Sequence, residues 1–326
     1  MQDETVLEIK GLHAHFLTKQ GPVKAVNGVN LELKRQSILG IMGESGSGKT
    51  TLALSILDLL PYPGTVVQGE IYYRGQDLLR ISMEELRQVR GNQIAMIFQD
   101  PTTSLNPVIP IGTQVQEVAI SHGLISSSDA KSWAIEALGR AELPDPEKII
   151  SQYPFELSGG MNQRVMLAMA MAMEPEVIIA DEPTSAVDVT LQAHMLEQLK
   201  ELRDEHHSSI LLISHDLGII AQMADMVAVM YAGSIVEYTD TVTLFQRPTH
   251  PYTWALLQSI PRLDTPDKPL RPLKGVPPDL INLPDECAYI ARCPKALNQC
   301  RISSRPPLED VEQGHEVACY NPVRHD

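Results

Sequence analysis

The sequence predicts an α/β fold, and three observations carry the prediction. Short apolar runs at residues 37–42, 177–180 and 211–213 have the length and composition of buried parallel strands. The first run leads directly into Gly43-Glu44-Ser45-Gly46-Ser47-Gly48-Lys49-Thr50, the pattern G-x-x-x-x-G-K-[ST]. A segment with helix periodicity, 49–60, follows and is expected to stop at Pro61.

Strand, loop and helix thus fall where a nucleotide-phosphate cradle needs them. Gly43, Gly46 and Gly48 let the backbone curl, so that N–H groups along the loop, through Glu44, Ser45 and Ser47, point inward at phosphate oxygens. The following helix presents its positive end to the same anion. Lys49 adds a charge for the β- and γ-phosphates, and the Thr50 hydroxyl is placed to ligate Mg²⁺, with Thr51 beside it in the nucleotide-binding set. A glycine-rich turn matching by chance would not have both flanking elements in place.

Segments further along the chain decide what kind of phosphate chemistry this is. The run ending at Ala180 is followed by Asp181 and Glu182, two carboxylates at the carboxyl end of a strand. Asp181 is expected to hold Mg²⁺ through water, and Glu182 to orient or deprotonate the attacking water. Leu157-Ser158-Gly159-Gly160-Met161-Asn162-Gln163-Arg164 opens a long helical segment with a capping serine and two glycines, a second anion site. Ile97-Phe98-Gln99-Asp100-Pro101 leaves a strand with a polar Gln at its end, and Leu211-Leu212-Ile213-Ser214-His215-Asp216 ends another in a His. Ser185-Ala186-Val187-Asp188 follows the acidic pair.

This ordered set resembles the ATP-binding cassette of ABC transporters: Walker A, Q-loop, signature, Walker B, D-loop and switch histidine, over roughly the first 240 residues. The resemblance implies a P-loop NTPase fold, with a nucleotide-binding domain at 1–240 and a helical subdomain at about 101–170. It implies that Gln99 senses Mg²⁺ and the γ-phosphate, and that His215 contacts the γ-phosphate. Phe16, expected in the loop after the first strand, matches the family position that stacks on adenine. Met161 stands where the commonest signature, LSGGQ, has Gln, so a polar side chain is lost there while Ser158, Gly159 and Gly160 remain. In such cassettes the signature meets phosphate only across an interface. Two cassettes would therefore sandwich ATP head to tail and part on hydrolysis.

Composition narrows the setting. A chain of 326 residues predicts one large domain and an appendage. The formal charge of −15, from 26 Lys+Arg against 41 Asp+Glu, disfavours nucleic acid and anionic lipid as primary partners. Met1-Gln2-Asp3-Glu4 has no basic n-region or apolar h-region, and no apolar stretch approaches the ~20 residues that span a bilayer. The expected location is the cytoplasmic face of the cell membrane, held peripherally by another protein. No internal repeat of the cassette occurs, so the second ATPase must be another chain.

Between about 101 and 152 the pattern turns helical and polar, broken by Pro107, Pro110, Pro144 and Pro146. In the cassette family this region receives the permease's coupling helix. Met166, Met169 and Met173 follow helical spacing and read as core packing. His206 and His207 read as solvated surface, and His194 takes no role. Beyond about 240, Pro248, Pro251, Pro261, Pro266, Pro269, Pro272, Pro277 and Pro278 predict an extended appendage at 241–326. Arg247-Pro248-Thr249-His250-Pro251-Tyr252-Thr253 with the following Ala255-Leu256-Leu257, together with Met96-Ile97-Phe98-Gln99-Asp100-Pro101-Thr102-Thr103-Ser104-Leu105-Asn106-Pro107, resembles the ATPases of dipeptide, oligopeptide and nickel importers. The His-Pro-Tyr patch could equally be a turn that seats the tail. That resemblance implies a paralogous ATPase subunit or second copy, two transmembrane permease subunits and an extracytoplasmic solute-binding protein.

All four cysteines, Cys287, Cys293, Cys300 and Cys319, lie in this tail. Their spacing is neither a paired zinc ribbon nor a ferredoxin run, and leaves the metal open. Similar tails in dipeptide-importer ATPases carry a cysteine-ligated [4Fe-4S] cluster, so the resemblance ranks that cluster first, structural zinc second and free thiols third. The expected function is ATP hydrolysis driving uptake of di- or oligopeptides, with nickel, glutathione and oligosaccharides open as alternative solutes. Two other classes compete: a cassette that clamps a partner without hydrolysis, which complete Glu182 and His215 argue against, and a soluble ABC ATPase of DNA repair or translation, which would carry a coiled-coil insertion or two cassettes.

Overall fold

The computed structural model describes residues 4–100, 104–185, 188–259, 273–281 and 283–325. The acidic start at Met1-Gln2-Asp3, the segment Pro101-Thr102-Thr103, Ala186 and Val187, and the tail prolines Pro261, Pro266, Pro269 and Pro272 lie outside the described residues. The chain falls into two units: Met1–Leu7, Leu33–Ile38 and Arg80–Ile213 in one, and Glu8–Glu32, Leu39–Leu79 and Ser214–Asp326 in the other.

In the first unit, strands Ile94–Ile97, Val177–Asp181 and Ser209–Ile213 pair in parallel, with Ile97 opposite Ala180 and Asp181 opposite Ile213. The two strands Val177–Asp181 and Ser209–Ile213 are buried at every position, which is why they read in sequence as unbroken apolar runs. Helices Ile111–Ser121, Ala130–Arg140, Pro146–Ile149 and Gly159–Met171 close around Leu105, Ile111, Val115, Leu138, Leu143 and Val165. Met166 belongs to that core and Met169 packs against it, as their helical spacing requires.

In the second unit, strand Ile38–Met42 pairs in parallel with Met226–Tyr231, placing Leu39 opposite Met226 and Met42 opposite Val229. Strand Ser234–Asp240 continues antiparallel to it. A separate four-stranded sheet runs in the order Gly21–Lys34, Thr5–Thr18, Gly64–Tyr73, Gln76–Asp77. The helix after the glycine-rich loop is Lys49–Ile56, shorter than the periodicity predicted. It ends because Asp58 takes a left-handed φ of 49°, while the Asp58 and Leu59 amides donate back to the Ser55 and Leu54 carbonyls. Pro61 lies beyond the true stop.

The tail is more than an extended appendage. Strand His315–Val317 pairs antiparallel with Ser234–Asp240, and Glu309–Glu312 pairs with it in turn. Glu237, fully buried in Ser234–Asp240, accepts from the Thr249 amide at 2.6 Å and the His250 amide at 2.9 Å, and meets His315 Nε2 at 2.8 Å. A buried carboxylate needs such partners. His250 then caps helix Pro251–Gln258 by accepting from the Tyr252 amide at 3.0 Å, with Pro251 at the first helical position. Burial lowers the His250 pKa to about 4 and keeps the ring neutral, as an accepting cap requires. The His-Pro-Tyr patch is therefore the turn that seats the tail on the sheet.

Candidate nucleotide-binding and hydrolysis site

The loop after Ile38–Met42 is shaped by two glycines that nothing else could replace. A Cβ at Gly43 would lie 2.2 Å from the Met230 carbonyl oxygen, and one at Gly48 would lie 2.0 Å from the Ala25 carbonyl oxygen, with φ at +153° and +104°. Both the space and the conformation exclude a side chain. Gly48 is also the N-cap of Lys49–Ile56 and offers no side-chain cap, which leaves the helix's first N–H groups for an anion. Lys49 is 6% exposed and folds back over the loop: Nζ donates to the Gly43 carbonyl at 2.9 Å, the Glu44 carbonyl at 3.0 Å and Ser47 Oγ at 3.4 Å. Ser45, Gly46 and Thr50 are exposed, with Thr51 half-buried behind them.

The same unit holds His215 and Phe16. His215 is exposed just past Ser214, and Asp216 beside it caps helix Leu217–Met223 by accepting from the Gly218 amide at 2.8 Å. Phe16 lies inside strand Thr5–Thr18, not in the loop after it, because pairing continues to Thr18. Its ring packs so closely on Gly64 that a Cβ there would sit 2.7 Å from Phe16 Cε1.

The first unit gathers the hydrolytic candidates. Asp181, the last residue of its strand, is 1% exposed. Glu182 follows with a left-handed φ of 49°, a conformation that costs energy for a non-glycine residue and concentrates at functional sites. Its backbone is fixed by the amide donating to the Ile213 carbonyl at 2.9 Å and by the Ser185 amide donating to its carbonyl at 3.1 Å. Gln99 Nε2 donates to the Glu182 carboxylate at 2.8 Å, and Ser185 Oγ donates to the Gln99 carbonyl at 2.9 Å. Gln99, Glu182 and Ser185 thus form one hydrogen-bonded group.

Ser158 caps Gly159–Met171, accepting from the Met161 amide at 3.3 Å. Ser158 and Gly159 are exposed, whereas Gly160 lies so close to Leu191 that a Cβ would stand 2.6 Å from its Cδ2. Met161 packs against the helical core, and Gln163 donates to the Pro183 carbonyl. The residue that departs from the commonest signature therefore serves packing. Asp188, from the D-loop pattern, caps Val189–Asp204 through the Leu191 amide at 2.9 Å.

Residues 26–185 match the model of the ABC transporter family, and residues 236–300 match that of the oligopeptide/dipeptide transporter C-terminal region. Over 97% of its length the chain is 46% identical to the oligopeptide transport ATP-binding protein OppD of Bacillus subtilis, covering 88% of that protein. The chain belongs to the ABC transporter ATP-binding family. This ABC ATPase is also 45% identical to the dipeptide transport ATP-binding protein DppD of Bacillus subtilis, covering 97% of the chain and 95% of that protein. Its fold matches the ATP-binding cassette MJ0796, solved as a dimer in a post-hydrolysis state with ADP and Pi, with a TM-score of 0.65 and 27% identity over 72% of this chain and 98% of that one.

The four cysteines of this ABC ATPase are free. Burial raises the thiol pKa of Cys287 and Cys293 and pushes that of Cys319 up to about 12, with Cys287, Cys293 and Cys300 adding to the effect. By donor chemistry alone, four cysteine sulfurs would suit iron or zinc. Among the described residues, however, no group of three or more His, Cys, Asp or Glu side chains is arranged to hold a metal ion. The iron–sulfur expectation thus finds no formed site among the described residues.

Two residues touch the phosphate loop in a way that the sequence did not signal, although Tyr252 belongs to the His-Pro-Tyr patch. Tyr252 and Arg292 both bond Glu44, across separations of 208 and 248 residues.

Proposed function

We propose that this chain is the ATP-hydrolysing subunit of an importer for di- or oligopeptides. The observation that carries the reading is the Gln99–Glu182–Ser185 group at the end of the Asp181 strand, in a chain whose other unit carries a complete phosphate loop. A cassette that only clamps ATP would need no carboxylate so placed. In this reading Glu182 orients or deprotonates water, Gln99 and His215 respond to the γ-phosphate, and Phe16 stacks on adenine. Residues 43–51 cradle the phosphates, and Ser158, Gly159 and Gly160 serve ATP on the opposite subunit. Thr50 and Asp181, with Gln99, would hold Mg²⁺, which supplies charge neutralisation to the phosphates. The matched C-terminal region and the peptide-transport relatives support the solute class.

The partners that follow are a paralogous ATPase or second copy, two transmembrane permease subunits and an extracytoplasmic solute-binding protein. Among the described residues no helix is long and apolar enough to cross a membrane, which fits attachment to the cytoplasmic face through the permease. Residues 1–240 would act as the motor and 241–326 as its extension.

The sandwich is tested in trans. A Ser158→Arg chain should bind ATP on its own phosphate loop yet fail to hydrolyse it alone. Mixed with a Lys49-defective chain, it should regain part of the activity, because one composite site is then intact. Activity that simply follows each chain's own motifs would rule the sandwich out.

The four-cysteine [4Fe-4S] site is a further part of this proposal, with zinc as the alternative, and it rests on the four free cysteines of the tail and their likeness to the tails of dipeptide-importer ATPases. Anaerobically purified protein is expected to be brown, with about four iron and four sulfide per chain, and Cys293→Ser to lose the colour. Metal-free, colourless protein with four reactive thiols would end both metal readings.

A further inference from the structure

The tail reaches the phosphate loop of its own unit, and it does so at one residue. The Arg292 guanidinium donates twice to the Glu44 carboxylate, Nη1 to Oε2 at 2.6 Å and Nη2 to Oε1 at 2.9 Å. The Glu44 amide donates to the Tyr252 hydroxyl at 2.8 Å, and the Glu44 carbonyl accepts from Lys49 Nζ at 3.0 Å. Amide, carbonyl and carboxylate of this loop residue are thus each engaged, two of them by the tail.

Arg292 is itself held in place. Nη1 also donates to the Tyr231 hydroxyl at 3.2 Å, Nε donates to the Lys274 carbonyl at 2.9 Å, and the guanidinium carbon lies 5.8 Å from the ring centroids of both Tyr231 and Tyr289. Its side chain is only 3% exposed. A bidentate pair so enclosed escapes the screening that makes ordinary surface ion pairs weak.

The loop's chemistry gives this pair a consequence. A polyphosphate anion bound by the loop would meet the Glu44 carboxylate as a like charge, and the enclosed guanidinium, charged at any accessible pH, cancels it. We propose that the C-terminal extension is part of the nucleotide-binding machinery, with Arg292 the positioning residue that holds Glu44 and cancels its charge beside bound polyphosphate. This rests on the reading of residues 43–51 as the ATP cradle. It assigns the proline-rich extension a task at the motor rather than at the solute or the membrane.

The test is calorimetric binding of ATP, ADP and adenosine to the full chain. Arg292→Gln is expected to weaken ATP binding about tenfold, the effect of an uncancelled unit charge about 10 Å from one phosphate charge at an effective dielectric of about 20. ADP should suffer less and adenosine not at all. Glu44→Gln leaves the Arg292 charge uncancelled beside the polyphosphate and should strengthen ATP binding about threefold, and the double variant should return to within about threefold of wild type. A mere packing role predicts the opposite sign for Glu44→Gln and no recovery in the double variant. Three results would overturn the inference: unchanged ATP affinity in Arg292→Gln, weakened ATP binding in Glu44→Gln, or an adenosine loss as large as the ATP loss. Should Arg292→Gln fail to fold, the sign for Glu44→Gln still decides. A wild-type chain that binds no ATP would instead remove the cradle reading itself.

Discussion

Glu182→Gln is expected to keep ATP binding and to lower turnover by about 10²- to 10⁴-fold, the size of a lost general base. The substitution is nearly isosteric. The new side-chain carbonyl can still accept from Gln99 Nε2, which bonds the Glu182 carboxylate at 2.8 Å, and the backbone anchors at Ile213 and Ser185 do not involve the side chain. What disappears is the negative charge that takes up or orients the proton of the attacking water. The phosphate loop lies on a different stretch of chain, so nucleotide affinity should stay within about threefold of wild type. Phosphate release under saturating ATP, measured beside ATP affinity, separates the two effects. Wild-type turnover would remove Glu182 from the chemistry, and lost affinity would mean that it belongs to the binding site. If hydrolysis is what parts two cassettes, the variant should also accumulate as an ATP-bound dimer, readable by size-exclusion chromatography.

The strands that bear these groups were legible because fully buried parallel strands leave no polar position to blur the pattern. Val177–Asp181 and Ser209–Ile213 are buried throughout and appear as unbroken apolar runs. One helix start was legible for the same local reason: Ser158, a residue type that signals a start, accepts a hydrogen bond from the first turn of the helix that it precedes. Asp188 and Asp216 cap their helices in the same way, although no such role is among the expectations from sequence. Where competing signals are non-local, local reading fails. Phe16 is expected in the loop after the first strand, yet strand pairing carries on through Thr18. The helix from Lys49 stops at Ile56 because the chain turns left-handed at Asp58, a non-glycine residue that carries no obvious breaker signal.

The tail shows the limit most clearly. Its prolines suppress strand prediction, yet His315–Val317 finds an open edge at Ser234–Asp240. The buried Glu237 meets His315 across 78 residues of sequence, and Glu44 meets Arg292 across 248. Each pair is a charge with its partner, and each member alone looks like one more surface residue in a strongly acidic chain. Spacing rules cannot join them. The motif at 43–50 was legible without such help because its glycines, lysine and threonine stand together in eight consecutive residues, even though Gly43 and Gly48 also answer to the Met230 and Ala25 carbonyls.

Lys49→Ala is the second large effect, and it should appear in affinity rather than in chemistry. Charge-assisted hydrogen bonds contribute about 1.5–3 kcal/mol each, so ATP binding should weaken by about ten- to a hundredfold. The Lys49 ammonium already spans the loop, bonded to the Gly43 and Glu44 carbonyls. Those bonds hold the cation over the loop before nucleotide arrives, so little side-chain entropy remains to be lost on binding. Removing it also leaves two carbonyl dipoles of the loop without their cation, unfavourable partners for an incoming phosphate. Adenosine, which lacks phosphates, should bind the variant as it binds the wild type, whereas ADP and ATP should both lose affinity. Titration calorimetry with the three ligands reads this directly. Unchanged ATP affinity would contradict the cradle, while an equal loss for adenosine would point to a collapsed loop rather than a missing charge.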